Sequence, residues 1–271
     1  MDKLVKLKTL LKEMGGVLIA YSGGVDSTYL AYVSNSILGK KSLAVFAHSP
    51  VCPPSDLEEA AALAQKLGLN FRAIETDELE DARFVANTPD RCYYCKQELF
   101  HKLKAVAADE GLLWLADGTN QDDLTDYRPG RQACQEMQVR SPLLEAGITK
   151  AEIRQLSKAA GLPTWDKPAS PCLASRIPYG TPVTSGILLK IAEGENYLRS
   201  LGIRQLRLRH HGDIARIEID PQDMPVVVSE DVRLKLIEKF RSLGYQYVTL
   251  DLSGYRTGSL NEKITQNKDN N

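Results

Sequence analysis

The sequence has no run of about 18 or more apolar residues, the length a spanning helix needs, so it predicts no membrane-crossing segment. It has no excess of one charge, since 34 lysines and arginines face 35 aspartates and glutamates. That balance speaks against a general electrostatic grip on nucleic acid while leaving local basic patches open. It has no G-x-x-x-x-G-K-S/T string, which excludes a Walker-type kinase or motor, and no internal repeat. Cysteine is sparse and odd in number, five in 271 residues. The N-terminal stretch MDKLVKLKTLLKEMGG has apolar residues at helical spacing between lysines. It lacks the unbroken apolar core and small-residue cleavage site of a leader, so it reads as an amphipathic first helix of a cytoplasmic chain. In a reducing compartment such a cysteine set points to metal binding or catalysis rather than a disulfide framework.

What is present is ordinary globular composition, 43% hydrophobic and 25% charged, enough to bury a sizeable core. Strand-like and helix-like segments alternate over the first 160 or so residues. Val17 to Tyr21, Ser42 to His48, Phe71 to Thr76 and Leu112 to Asp117 read as strands, with a weaker one near Val139 to Leu143. Helices are expected from about Asp26 to Ile37, Ser55 to Gly68, Cys92 to Asp109 and Thr149 to Ala160. This alternation predicts the α/β class, a parallel sheet covered by helices with ligands at the carboxyl ends of the strands. Leu162 to Thr184 is proline-rich and reads as an ordered connector. Beyond it a helix (Ser185 to Ser200), a hairpin turning at Gly212-Asp213, a helix (Ser229 to Leu243) and a strand (Tyr245 to Leu252) predict a small α+β domain. The expected organisation is a parallel-sheet domain over 1–165, a connector over 166–184 carrying Cys172, an α+β domain over 185–260 and a polar tail over 261–271.

The sharpest motif is Ser22-Gly23-Gly24-Val25-Asp26-Ser27, between the first strand and the first helix. Two glycines allow a tight turn and bring N–H groups close to an anion. Ser27 and Thr28 add hydroxyls at the helix N-terminus, where the dipole favours phosphate. Asp26 would repel a bare phosphate, which points to Mg²⁺ bridging carboxylate and phosphate oxygens. The bland alternative is a capped Gly-Gly turn with nothing bound; the full string at the end of the first strand weighs against it. The string resembles the PP-loop of the ATP-pyrophosphatase superfamily. Its members cleave ATP between the α- and β-phosphates and pass AMP to an oxygen that a nucleophile then displaces. The resemblance implies ATP and Mg²⁺ as cofactors.

Cys92-Tyr93-Tyr94-Cys95 opens a helix, and Cys172 lies in Pro171-Cys172-Leu173-Ala174-Ser175-Arg176. Three readings stay open on the residues alone: buried structural thiols, a redox dithiol, or three thiolates holding a metal. Zinc would want a fourth ligand, with His101 at hand. A [4Fe–4S] cluster on three cysteines leaves one iron open to bind sulfide.

Several segments together resemble the LarE family of ATP-dependent sulfur transferases within that superfamily. They are SGGVDST (Ser22 to Thr28), NTPDRCYYCK (Asn87 to Lys96), ADGTNQDDLTDYRPG (Ala116 to Gly130), RSPLLEAGITKAEIR (Arg140 to Arg154), KPASPCLASRIPYGTPVT (Lys167 to Thr184), RLRHHGDIARIE and VTLDLSGYRTGSLN. The resemblance spans nearly the whole chain. It implies adenylation of the two carboxylates of a pyridinium biscarboxylic acid mononucleotide and their conversion to thiocarboxylates, the organic part of a nickel-pincer cofactor. It also implies a homo-oligomer and, with Cys92, Cys95 and Cys172, the cluster-bearing type of the family. Members that sacrifice a cysteine carry it one place earlier, where this chain has Pro171. Cys52 and Cys134 match no motif cysteine and read as ordinary residues.

The remaining candidates follow from position. Arg176, four residues after Cys172, suits an anion beside the sulfur centre. With Cys172 and Asp26 it forms the catalytic set. Lys150, at a helix start, and Gly118 and Asp122, after the fourth strand, join the loop as ATP-binding candidates, and Asp123 and Asp126 compete with Asp122. Helix capping accounts for any one of these aspartates equally well. Arg207 and Arg209 alternate along a strand and share a face; the resemblance implies that they hold the substrate phosphate, with Glu195 and Arg256 as further candidates for the same role. The alternative for both is a solvated strand face. His210 and His211 point to opposite faces and cannot easily share an ion. Two rivals share the loop: a tRNA-thiolating enzyme, which would want a broad basic surface, and an amide-forming synthetase using ammonia. A non-enzymatic nucleotide-binding module would bind ATP but release no pyrophosphate. No motif identifies the sulfur donor.

Overall fold

Strands β1 (Val17–Ala20), β2 (Ser42–His48), β3 (Phe71–Glu75) and β4 (Trp114–Ala116) form a parallel sheet in the order β3-β2-β1-β4. The computed structural model describes residues 2–53, 55–124, 129–168 and 171–256. It divides into two compact units, Met1–Phe84 with Pro89–Ser170, and Val85–Thr88 with Pro171–Asn271.

The helices in chain order are α1 (Lys3–Met14), α2 (Val25–Leu38), α3 (Ser55–Lys66), α4 (Ala82–Val85), α5 (Arg91–Asp109), α6 (Gly130–Glu136), α7 (Pro142–Glu145), α8 (Lys150–Ala159), α9 (Ser185–Ser200), α10 (Met224–Val228) and α11 (Glu230–Ser242). In the first unit the central strands β1 and β2 are apolar on both faces, as buried parallel strands must be. The period-two alternation of a strand sorts its residues. Val17, Ile19, Ala44 and Phe46 join Leu7 and Leu11 of α1, Leu30 of α2 and Ile153 of α8. Leu18, Leu43 and Val45 face the other way, onto Phe100 and Leu103 of α5 with Cys134 and Met137. Phe100, Leu103 and Leu18 are fully buried, and burial of each such side chain contributes about 1.5–3 kcal/mol.

The strand expected near Val139 to Leu143 is not formed. Parallel pairing there is a single bridge between Ala116 and Arg140, and Pro142 opens α7 instead. Proline has no N–H to give a sheet ladder and suits the first helical position. The fourth strand is also shorter than expected, beginning at Trp114 rather than Leu112.

In the second unit, β5 (Leu206–His211) and β6 (Ile214–Ile219) form an antiparallel hairpin, and β7 (Tyr247–Leu250) adds parallel to β6 after α11. Its core is Leu198, Leu206, Leu208, Ile217, Ile219, Leu236 and Phe240, at most 3% exposed. Helix α10 was not apparent in the sequence pattern; the β-branched run Val226-Val227-Val228 has strand-like propensity. The short Val85–Thr88 segment is stitched into this unit. Val183 N donates to Val85 O, and the Asn87 amide Nδ2 donates to the carbonyls of Pro178 and Thr181, 2.8 Å each. Among the described residues no helix is long and apolar enough to cross a membrane.

Candidate active site

The sequence candidates fall into two groups, one in each unit. The first lies where the parallel sheet reverses direction. The chain runs from β1 outward through β2 to β3 and returns to place β4 on the other side of β1. Ligands of open α/β sheets sit in the crevice at the carboxyl ends of such a strand pair. The Ser22–Ser27 loop leaves β1 there, and Gly118 follows β4.

The loop is braced by its own hydroxyls. Ser22 N donates to Ser27 Oγ (3.1 Å), the two serine Oγ atoms lie 3.0 Å apart, and Thr28 N bonds Gly24 O at 3.0 Å as α2 begins. Ser27 is buried and acts as the brace, whereas Ser22 is exposed. Gly23 has φ +67°, a left-handed conformation that side chains oppose. Gly118 has a different reason. A Cβ there would lie 3.0 Å from Ser27 N and 3.3 Å from Asp26 Cβ, so its bare backbone is what lets the β4 end approach the start of α2.

Asp26, in the first turn of α2, is the charged centre of this group. Its Oδ2 accepts from Lys150 Nζ, and Asn120 Nδ2 lies 3.5 Å from Oδ1. Lys150 is presented by a capping box: the Thr149 hydroxyl accepts from Glu152 N, and Glu152 Oε2 accepts from Thr149 N at 2.8 Å. Asp122 Oδ2 accepts from Lys150 N (2.9 Å) and Asp123 Oδ2 from Asn120 N (3.0 Å), so these two carboxylates tie backbone together. Asp126 lies outside the described residues. Asp117, in the same motif, accepts from the Ser141 hydroxyl (2.7 Å), the Thr119 hydroxyl (2.7 Å) and the Cys134 thiol (3.4 Å). Burial, then the Asp117 charge, pushes the Cys134 thiol up to about 12, in keeping with an inert packing residue.

Cys92 and Cys95 occupy the first two turns of α5, Cys92 exposed and Cys95 half-buried. The Cys95 thiol donates to Glu78 Oε1 (3.8 Å), a buried carboxylate that also accepts from the Thr76 hydroxyl at 3.1 Å. Among the described residues no three His, Cys, Asp or Glu side chains gather into a metal-holding group.

The second group surrounds Cys172. That residue caps a short 3-10 turn, Leu173–Arg176. Arg176 and Glu195 are both fully buried, with Arg176 Nε and Nη2 donating to the two Glu195 oxygens at 2.8 and 3.0 Å. The remaining Arg176 nitrogen turns back on its own loop and donates to the carbonyls of Pro171 and Cys172 (3.0 Å to the latter). Glu195 also accepts from Leu208 N and Arg199. These two residues therefore anchor the cysteine loop to α9 and β5.

Arg207 and Arg209 share one face of β5 and are 8% and 6% exposed, which overturns the solvated-face alternative. Arg209 pairs with Glu218 (2.9 Å) and donates to Ser175 O (2.8 Å). Arg207 donates to Leu206 O and to the Tyr255 hydroxyl and stacks over the Tyr255 ring, 5.0 Å from its centroid. Burial, then the charge of Arg176, lowers the Arg207 pKa, while Tyr255 and Glu195 act in the other direction. Arg256 is exposed. His210 is buried against Tyr245 while His211 is exposed, on opposite faces.

Three participants escaped the sequence reading. Glu218 sits opposite Arg207 in the hairpin register, and the inward phase of DIARIEID carried that signal. Asn120 lay inside a quoted motif, and the T-x-x-E box that presents Lys150 is a recognised helix-start pattern.

A family model for NAD synthase matches residues 3–98. An NH₃-dependent NAD⁺ synthetase of Pyrococcus horikoshii is 35% identical over 32% of this chain and 34% of its own length. Other likenesses run end to end. An uncharacterized protein of Synechocystis sp. is 46% identical over 98% of this chain and 99% of its own. The pyridinium-3,5-bisthiocarboxylic acid mononucleotide synthase of Lactiplantibacillus plantarum is 38% identical over 97% and 95%. The NAD synthase family match thus covers the nucleotide-loop portion, while the synthase likeness takes in the Cys172 loop and the β5 arginines as well. The chain belongs to the LarE family of PP-loop ATP-pyrophosphatases and is an ATP-dependent enzyme of the adenylating type.

Proposed function

We propose that this chain converts the two carboxylates of pyridinium-3,5-biscarboxylic acid mononucleotide to thiocarboxylates, making the organic part of a nickel-pincer nucleotide. The observation that carries the reading is the 38% identity to the L. plantarum synthase across 97% of the chain. A substrate carboxylate oxygen attacks the α-phosphorus of ATP, and pyrophosphate leaves. A sulfur nucleophile then attacks the carboxyl carbon of the acyl adenylate, and AMP leaves. Adenylation turns a poor oxygen leaving group into a good one.

The loop amides around Gly23 and Gly24, with Ser22 and Lys150, hold the phosphates at the N-terminus of α2. Asp26 is the hard oxygen donor of this group, and the cation it carries here is the Lys150 ammonium. It fits a Mg²⁺ ion, which would neutralise charge on the departing pyrophosphate. Arg207 and Arg209 supply the buried positive charge suited to the mononucleotide phosphate. Arg176 and Glu195 hold the loop on which Cys172 sits.

The donor set of Cys92, Cys95 and Cys172, with Pro171 where a sacrificial cysteine would stand, fits a [4Fe–4S] cluster in kind. Such a cluster would present an open iron for sulfide. The near-balanced charge of −1 speaks against a general electrostatic grip on tRNA, and the NAD synthase family match ends at residue 98, ahead of the β5 arginines.

The test is direct. Anaerobically purified protein is incubated with ATP, Mg²⁺, a sulfide source and the biscarboxylic mononucleotide. The expected result is pyrophosphate and AMP release that depends on the mononucleotide, with a sulfur-for-oxygen mass change at each carboxyl. Pyrophosphate release without sulfur incorporation would point to another nucleophile. Iron and acid-labile sulfide at about four each per chain would support the cluster; neither, after reconstitution, would remove it and leave Cys172 as a direct carrier.

A further inference from the structure

Lys167 lies outside every residue set assigned above, yet it sits on the phosphate loop. Its Nζ is 3.4 Å from the carbonyl oxygen of Gly23 and 3.3 Å from Glu59 Oε2 on α3. Both contacts are long for an ammonium. Glu59 is also well exposed, its side chain retaining 58% of its surface against 36% for Lys167. An exposed pair of this kind is worth little, so the ammonium is held loosely and leaves at low cost.

Its backbone, by contrast, is fixed. Arg154 on α8 donates from Nη1 to Trp165 O (2.7 Å) and from Nη2 to Lys167 O (2.9 Å). The same helix begins with Lys150, which pairs with Asp26. Helix α8 therefore sets two lysines against one loop, Lys150 on the α2 side and Lys167 over the Gly23 turn. An anion received by the loop amides lies within reach of an ammonium 3.4 Å from the Gly23 carbonyl. Lysine, a compact charge on a flexible stem, can follow charge from a bound triphosphate onto a departing group.

We propose that Lys167 is a second phosphate-binding cation of this loop, transferring from Gly23 and Glu59 to the β- and γ-phosphates of ATP and then to released pyrophosphate. The inference rests on the adenylation reading.

The experiment is calorimetric titration of ATP, inorganic pyrophosphate and AMP, each with Mg²⁺, into wild type, Lys167→Met, Lys167→Arg and Glu59→Gln, with melting temperatures alongside. Lys167→Met is expected to weaken ATP and pyrophosphate about 10- to 100-fold, the range of a charged hydrogen bond, and to leave AMP within about twofold. Lys167→Arg should recover much of the loss, and Glu59→Gln, which removes a competitor, should hold or tighten ATP. Unchanged ATP and pyrophosphate binding in Lys167→Met, or an equal loss for AMP, would overturn the proposal. So would an ATP loss in Glu59→Gln matched by a lowered melting temperature, which would make the pair a structural tie. A wild-type protein that binds neither ATP nor pyrophosphate would instead bring down the adenylation reading itself.

Discussion

Arg176 and Glu195 form an ion pair with no exposed surface on either side chain, and its outer guanidinium nitrogen is turned onto the carbonyls beside Cys172. Arg176, expected from sequence to meet an anion beside Cys172, meets the Glu195 carboxylate, and we propose that it positions the Cys172 loop. Breaking one side of a buried pair leaves an uncompensated charge and costs about 3–5 kcal/mol. Arg176→Met and Glu195→Gln are each expected to lose stability of that order in urea unfolding followed by circular dichroism. A loss below about 1 kcal/mol, the range of surface pairs, would show that the anchor is dispensable.

The same pair sets a pH dependence. Burial opposes ionisation of Glu195, but the charge and hydrogen bonds of Arg176, the Leu208 amide and Arg199 together hold its carboxyl below the ordinary glutamate value. A depressed carboxylate contributes stability that is full above its unfolded value, about 4.3, and is lost as pH falls through the lower folded value. The stability gap between wild type and Glu195→Gln should therefore be widest near neutrality and narrow below about pH 4. A gap that widens on acidification would contradict this assignment.

Neighbouring arginines on β5 separate binding from stability. Arg209 neutralises the buried Glu218, so Arg209→Gln should lower the melting temperature. Arg207 is charged at a cost, because burial and the nearby Arg176 both act against its protonated form. Arg207→Gln should cost less melting temperature than Arg209→Gln while weakening the mononucleotide substrate about 10- to 100-fold. Unchanged substrate affinity would remove Arg207 from the phosphate site.

Legibility in the sequence follows the range of the interactions. The Ser22–Ser27 loop was readable because its chemistry is local: a strand end, two glycines and a helix start lie within six consecutive positions. The shared face of Arg207 and Arg209 was readable from the period of a strand. Their burial was not, because Glu218 and Tyr255 come from elsewhere in the chain. Glu195 was singled out through the resemblance, but its partner was not readable, since nothing local says that it receives Arg176. Lys167 was hidden for the same reason, meeting Gly23 across 144 positions. The false strand at Val139 to Leu143 came from weighing apolar residues above Pro142.

Thiol chemistry gives an independent check on the cysteine assignments. Cys134 is buried, with its thiol pushed up to about 12 by burial and by Asp117. At pH 8 its thiolate fraction is on the order of 10⁻⁴. Cys92 is exposed. Iodoacetamide labelling of cluster-free native protein, mapped by peptide mass, should reach Cys92 well before Cys134, which should react only on unfolding. Rapid native labelling of Cys134 would mean that the α5–α6 side of the sheet opens.

Gly118 is expected to control the nucleotide site through the approach of β4 to the start of α2. A Cβ there meets Ser27 N at 3.0 Å and Asp26 Cβ at 3.3 Å, so Gly118→Ala must push the start of α2 by a few tenths of an ångström. Displacements of about 1 Å in a positioned site cost roughly 100-fold, so a fraction of that shift should weaken ATP about tenfold. Gly186→Ala is the matched control. Its Cβ meets nothing within 4 Å, it lies in the first turn of α9, and alanine should be neutral or stabilise the helix by about 0.5–1 kcal/mol. ATP titration of both variants decides the matter. Equal ATP affinities with a folded Gly118→Ala protein would show that α2 gives way freely, and that the loop does not depend on the close approach of β4.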